Sequence, residues 1–97
     1  MLIDKKREGD KLTLVLQGRL DTNTAPELEE ALAGAGVSEM EFDFAGLEYI
    51  SSAGLRVLLS AKKALMSSGG SMSVVNANDT VRSVFEITGC SELFGLV

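Results

Sequence analysis

The stretch that decides the fold is YISSAGLR, residues 49–56, in which an apolar pair is followed by small polar residues and then by a helical pattern. Tyr49 and Ile50 are typical of a strand end, and the residues from Ser51 onward predict a helix that runs to about Met66. Its apolar positions recur with helical spacing and predict a face that packs on a sheet. They are Gly54, Val57, Leu58, Ala61, Ala64 and Leu65.

Two segments near the N-terminus predict a β-hairpin. The first is residues 2–6, and the second contains Leu12, Leu14 and Leu16 in alternation with Thr13, Val15 and Gln17. Residues 7–10 have turn chemistry, with a glycine at position 9. Residues 18–23 predict a loop after the hairpin.

The first helix is predicted to begin at Thr24. Pro26 suits a first turn, and Glu27 lies three residues after Thr24, as in a capping box. Gly34 and Gly36 are predicted to end this helix.

The next strand is predicted around Met40, Phe42 and Phe44. Glu41 and Asp43 lie between them, so one face of the strand is apolar and the other polar. This alternation predicts that the helices lie mainly on one side of the sheet.

The remaining elements are a strand around residues 72–75, a short helix that ends at Gly89, and a last strand over residues 93–97. The order β-β-α-β-α-β-α-β places the chain in the α/β class. We predict one small domain over residues 1–97, with a mixed four- to five-stranded sheet. It begins with a β-hairpin, continues through right-handed βαβ crossovers, and carries its helices mainly on one face.

The composition narrows the class of function. The 97 residues are 45% hydrophobic and 24% charged, and the net charge is −5, which argues against binding to nucleic acid or to an anionic membrane surface. No segment reaches about 20 apolar residues, and the first ten residues do not resemble a signal peptide. We therefore expect a cytoplasmic protein without direct membrane insertion.

The chain has no histidine, so triads built on Ser-His-Asp or Cys-His are excluded. Cys90 is the only cysteine, and no glycine-rich phosphate loop is present. Glu41 and Asp43 share a strand face and form the one candidate acid/base pair, but such pairs are routine on a solvated sheet. We expect neither an enzyme nor a cofactor or metal site.

The serine turn has two interpretations. A serine at a helix N-cap satisfies one unpaired N–H group and is worth about 1 kcal/mol, which explains one serine but not two. The second interpretation is a phosphorylation site, because a helix N-terminus favours an anion. Small residues at Ala53 and Gly54 would let another backbone approach closely.

Leu55, Leu59 and Met66 lie beside the core stripe, on a helix face that includes Lys62. This face is either partly buried under neighbouring helices or an exposed apolar strip suited to a partner.

The chain resembles the STAS domains of bacterial anti-sigma factor antagonists. The resemblance covers the hairpin and three motifs: GRLD at residues 18–21, FDFAGL at residues 42–47 and YISSAGLR at residues 49–56. It continues through Gly69-Gly70 and residues 84–89. The serine-turn motif is the specific part, and the remainder is ordinary α/β patterning.

The resemblance implies a partner that is both an anti-sigma factor and a serine kinase, and a PP2C-type phosphatase that reverses the modification. It aligns Ser52 with the family's acceptor serine and Ser51 with the Asp that usually precedes it, so Ser51 is the second-choice acceptor. The predicted partner-binding residues are Asp21, Thr22, Asn23, Ser51, Ala53, Gly54, Leu55 and Leu59. The alternative is a STAS interaction module in a transporter or signalling assembly that is not phosphorylated.

Overall fold

The computed structural model describes residues 1–91 and Phe94. Its strands and helices follow the order β1 (Leu2–Glu8), β2 (Lys11–Leu20), α1 (Ala25–Leu32), β3 (Glu39–Ile50), α2 (Ser52–Ser67), β4 (Ser71–Val75) and α3 (Asp79–Ile87). The sheet has the strand order β1-β2-β3-β4, with β1 antiparallel to β2 and the other neighbours parallel. The predicted α/β class, mixed sheet and opening hairpin are confirmed. The predicted last strand lies outside the described residues, apart from Phe94, which lies in a turn.

One face of the sheet is covered and contains the core. Burial alternates along β2 and β3, and side chains that pair across the strands, such as Leu14 and Phe42, are fully buried on the same face. Phe85 of α3 packs against Phe44 of β3, with ring centroids 6.3 Å apart. The polar side chains of Glu41 and Asp43 lie on the opposite, partly exposed face, as the alternation predicted.

Strands β2 and β3 are longer than the sequence predicted. Residues 18–20, predicted as part of a loop, belong to β2, and β3 continues through residues 45–50. Two shifts in the register between β2 and β3 allow both strands to continue past glycines that are typical of a loop. At Gly46 a Cβ atom would lie only 2.7 Å from the Cγ of Gln17, so a larger residue there would have to displace the Gln17 side chain, and glycine is favoured.

Helix α1 ends at Leu32 with Ala33 as its C-cap, and Gly34 follows with a φ of 67°, so the prediction that Gly34 ends this helix is confirmed. Helix α2 matches its predicted range closely, and α3 begins at Asp79 with the side chain of Asn78 accepting a hydrogen bond from the N–H of Val81. None of the helices in the described part of the chain is both long and apolar enough to cross a membrane.

Candidate functional site

The serine turn lies at the carboxyl edge of the sheet, where β2 and β3 end side by side. Leu20 pairs with Ile50, and the N–H of Ser51 donates to the carbonyl of Leu20 at 2.9 Å. The loop that follows β2 therefore leaves the sheet next to the start of α2. Asp21 and Ser51 each follow one residue of the Leu20–Ile50 pair, so both lie at the carboxyl edge of the sheet.

Ser51 is the N-cap of α2 and has an extended backbone, with φ −105° and ψ 175°. Its carbonyl accepts the first helical hydrogen bond, from the N–H of Leu55 at 3.0 Å. Its hydroxyl, however, makes no capping bond, and the Oγ atom is buried without a hydrogen-bond partner among the described residues. Ser51 therefore does not provide the side-chain cap that one interpretation of the serine turn predicted, because its buried hydroxyl makes no bond to the helix N–H groups.

Ser52 is the first residue of α2 and is exposed, unlike the hydroxyl oxygen of Ser51. The structure thus separates the two serines by accessibility. The side chain of Ser52 is accessible from solvent in the folded helix, whereas the Oγ atom of Ser51 is buried.

Gly54 is buried against the ends of β2 and β3. A Cβ atom there would lie 2.6 Å from the Cγ of Leu20 and 3.1 Å from the Cγ1 of Ile50. The glycine therefore lets the first turn of α2 pack directly on two core side chains. The packing at Gly54 is close, but the neighbours are side chains and not the other backbone that was predicted.

Two of the predicted partner-facing positions are contradicted by their burial. Gly54 is buried, and Leu55 is only 4% exposed and belongs to the core. Leu59 is partly buried against the core, and Met66 is 62% exposed. The apolar strip of Leu55, Leu59 and Met66 is therefore not continuous. Its first two residues are buried or partly buried, and only Met66 is exposed. Gly54 and Leu55 therefore support the turn from its buried side and offer no surface to a partner.

The loop after β2 is held by the carboxylate of Asp21. Its Oδ1 atom accepts hydrogen bonds from the N–H groups of Asn23 at 3.0 Å and Thr24 at 3.1 Å. The bond from Thr24 is the largest cause that lowers the pKa of Asp21 below its ordinary value, against an opposing effect of desolvation. A charged carboxylate is thereby kept beside the serine turn. Thr22 and Asn23 are exposed in the same loop.

The predicted capping box does not form at the start of α1. Thr24 is the N-cap, but its hydroxyl donates to the carbonyl of Arg19 at 2.7 Å and accepts from the N–H of Asp21 at 2.9 Å. The side chain therefore closes the loop back on β2 instead of capping α1. This local competition between loop and cap bonds is common for threonine.

Sequence reasoning missed one feature near the site. The guanidinium of Arg19 stacks on the ring of Tyr49, 4.5 Å from its centroid, and its Nε atom lies 3.9 Å from Oδ2 of Asp21. Arg19 and Tyr49 pair across β2 and β3. Each of them precedes a buried residue, Leu20 or Ile50, so the alternation along the strands places both side chains on the opposite face. The sequence does not reveal that they pair, because the register of β2 and β3 shifts before they meet.

No group of three or more His, Cys, Asp or Glu side chains within residues 1–91 and Phe94 is arranged to hold a metal ion. Asp43, one half of the candidate acid/base pair, accepts hydrogen bonds from the N–H of Ala45 and the amide of Asn76. The Oε1 atom of Glu41 instead lies 3.9 Å from the Nζ atom of Lys11.

A mixed sheet with helices on one face, and a serine turn where its parallel strands end, define the class of this protein. The chain belongs to the STAS domain family, because residues 3–97 match the family described as "Mlab, STAS domain".

Two relatives extend this assignment. The chain is 32% identical over 92 residues to the anti-sigma-B factor antagonist of Listeria monocytogenes, covering 92% of this chain and 81% of that protein. It is 38% identical over 86 residues to BtrV of Bordetella bronchiseptica, which is named as an anti-sigma factor antagonist, covering 86% of this chain and 74% of that protein.

Solved structures show the same fold. The anti-sigma factor antagonist SpoIIAA in its unphosphorylated form superposes with a TM-score of 0.89 at 20% identity, covering 99% of this chain and 86% of that one. Its phosphorylated form superposes with a TM-score of 0.80 at 19% identity, covering 99% and 89%. A sulfate transporter family protein from Wolinella succinogenes has a TM-score of 0.72 at 14% identity, covering 86% and 70%.

Proposed function

We propose that this chain is an anti-sigma factor antagonist that binds an anti-sigma factor serine kinase and releases it when Ser52 is phosphorylated. A PP2C-type phosphatase restores the binding form. The chain itself is a regulatory binding protein of the cytoplasm and not an enzyme. The names of the Listeria and Bordetella relatives support the antagonist role.

The single observation that carries the choice of residue is the difference between the two serines. Ser52 is exposed at the first position of α2, while the Oγ atom of Ser51 is buried. Ser52 is also the position that the family resemblance aligns with the acceptor. Accessibility and alignment therefore both favour Ser52 as the acceptor. Ser51, the second-choice acceptor, instead supports the turn.

The physical effect of the phosphate is electrostatic. It adds about −1.5 to −2 charges at neutral pH. The carboxylate of Asp21, whose pKa is lowered, already places a negative charge at the same edge. A partner surface that fits the unmodified turn would have to enclose an additional anion for which the partner itself supplies no cation. Leaving a buried charge unpaired costs about 3–5 kcal/mol, which corresponds to more than a hundredfold weaker binding.

The fold itself tolerates the phosphate. Exposed residues in the first turn of a helix favour negative charge, because the helix dipole and the unpaired N–H groups stabilise it. The switch therefore needs no rearrangement of this domain. Thr22, Asn23 and Ala53, which border Asp21 and Ser52 in the chain, complete the proposed contact surface with a partly buried Leu59 at its margin.

The experiment is incubation with ATP, Mg²⁺ and the anti-sigma factor kinases encoded in the same genome, followed by mass spectrometry. We expect one phosphate, located on Ser52. Ser52→Ala should remain unmodified and bound, and Ser51→Ala should still be modified, which makes it the matched control. Absence of phosphate from Ser52 with every such kinase would contradict the proposal.

A second candidate function is a STAS interaction module that is not phosphorylated. It is favoured by Ser51, which stands where the family usually has Asp before the acceptor. The fold also occurs in the Wolinella sulfate transporter family protein. Affinity capture that recovers transporter subunits with the native chain, together with a persistent lack of phosphate on Ser52, would support this candidate over the first.

A further inference from the structure

Arg56 follows Ser52 by one turn on the exposed surface of α2. Both residues are exposed. Side chains four residues apart are neighbours on a helix surface, and helical side chains lean towards the N-terminus. The guanidinium of Arg56 is therefore within reach of a group attached to the side chain of Ser52.

Arg56 forms no ion pair within the described part of the chain. The two ion pairs there join Lys11 to Glu41 and Arg19 to Asp21. Glu29 of α1 lines the same groove as Arg56, a space of about 340 Å³ between α1 and α2, but does not pair with it. The cation next to Ser52 is thus available for another anion.

We infer that Arg56 binds the phosphate group of phosphorylated Ser52 and holds it on the first turn of α2, an inference that rests on the proposed function. A guanidinium suits this role because it donates two parallel hydrogen bonds to phosphate oxygens. The order along the helix is also favourable, since an anion that precedes a cation by four residues is the stabilising arrangement.

A pair between Arg56 and the phosphate changes the charge of the phosphate group. The second pKa of a phosphoserine lies near 6, close to the pH of the cell. A cation in contact lowers that pKa, because it stabilises the dianion. Arg56 is therefore a positioning residue that fixes the phosphate in place and keeps it doubly charged at neutral pH.

Lys63 provides a matched control on the same helix. It is also exposed and carries the same charge. With a rise of 1.5 Å per residue, Lys63 lies about 16 Å along the axis from Ser52, whereas Arg56 lies about 6 Å away. Removing Lys63 changes the net charge equally but removes no contact.

The test is a ³¹P NMR titration of protein with phosphoserine incorporated genetically at position 52, in native, Arg56→Gln and Lys63→Gln backgrounds. We expect the phosphate pKa to rise by roughly 0.15–0.35 pH unit in Arg56→Gln, the shift that a surface pair of this kind produces. It should change by less than about 0.1 unit in Lys63→Gln. Added salt should shrink the difference between the native and Arg56→Gln proteins.

Equal phosphate pKa values in the native and Arg56→Gln proteins would overturn the inference, and so would an equal rise in both variants, which indicates a general field rather than a contact. Circular dichroism confirms that each exposed variant is folded. Because the phosphoserine is incorporated without a kinase, the titration is independent of the proposed function. Failure of kinases to modify Ser52 would count against that function and leave the pKa result intact.

Discussion

Replacing Gly54 by alanine tests how the serine turn is seated on the sheet. A Cβ atom at this position would lie 2.6 Å from Cγ and 2.9 Å from Cδ2 of Leu20, and 3.1 Å from Cγ1 of Ile50. Leu20 and Ile50 are 0% and 1% exposed, so neither has free space into which to move. Overpacking of this kind typically costs 1–3 kcal/mol, and two contacts below 3.0 Å favour the upper part of that range.

Alanine also has a favourable effect, because it stabilises a helix by about 1 kcal/mol relative to glycine. The expected net result for Gly54→Ala is therefore a loss of about 1–2 kcal/mol in the free energy of unfolding. In a domain of this size the midpoint of thermal unfolding should fall by roughly 5–15 °C. Helix propensity alone would predict the opposite sign, so the direction of the change distinguishes the two effects.

Urea unfolding followed by circular dichroism measures this loss. Ser60→Ala, an exposed substitution on the same helix, is the control and should change stability by only a few tenths of a kcal/mol. Leu20→Ala combined with Gly54→Ala should be less destabilising than the sum of the single changes, because the truncated leucine makes room for the new methyl group. A Gly54→Ala protein as stable as the native one, or more so, would refute the packing argument.

Three further outcomes follow from the same region. The pKa of Asp21 is lowered in the fold from its ordinary value of 3.8, so its carboxylate stabilises the fold above that pH and the contribution disappears as the pH falls through the folded pKa. Urea unfolding should thus show Asp21→Asn to be less stable than the native protein at pH 6, and the difference should shrink as the pH is lowered below 3.8; a gap that is constant with pH would contradict this. Ser51→Ala removes a buried hydroxyl oxygen that lacks a partner among the described residues, so calorimetry should find stability unchanged or slightly raised, and a loss above about 1 kcal/mol would be contrary evidence. Arg19→Ala removes the guanidinium from the ring of Tyr49 and should cost about 0.5–1 kcal/mol in chemical denaturation, whereas no measurable cost would show that the stacked pair is not stabilising.

The class of fold was predictable because its strongest signals are periodic. Alternation in β2 and β3 and the helical stripe of α2 each bury one face, and these patterns specify which side of the sheet the helices cover. The glycine-containing ends of β2 and β3 were not predictable, because glycine normally argues for a loop. Only the paired register shows that Gly46 lies where the side chain of Gln17 approaches closely.

The site was predictable in outline but not in detail. The motif indicated a serine turn, and alignment on Gly54 selected Ser52. Which hydroxyl is exposed depends on the backbone angles at Ser51 and on the packing around its side chain, and neither can be obtained from residue types. The capping box at Thr24 failed for a similar reason, since a nearby strand carbonyl competes for the same hydroxyl.

The central claim is that phosphate on Ser52 releases a partner that binds the unmodified turn. Isothermal titration calorimetry of the cognate anti-sigma factor, with native protein and with protein carrying phosphoserine at position 52, tests it most directly. We expect the phosphorylated protein to bind at least a hundredfold more weakly, with Ser52→Ala binding as the native protein does. Equal affinities for the native and phosphorylated proteins would contradict the account.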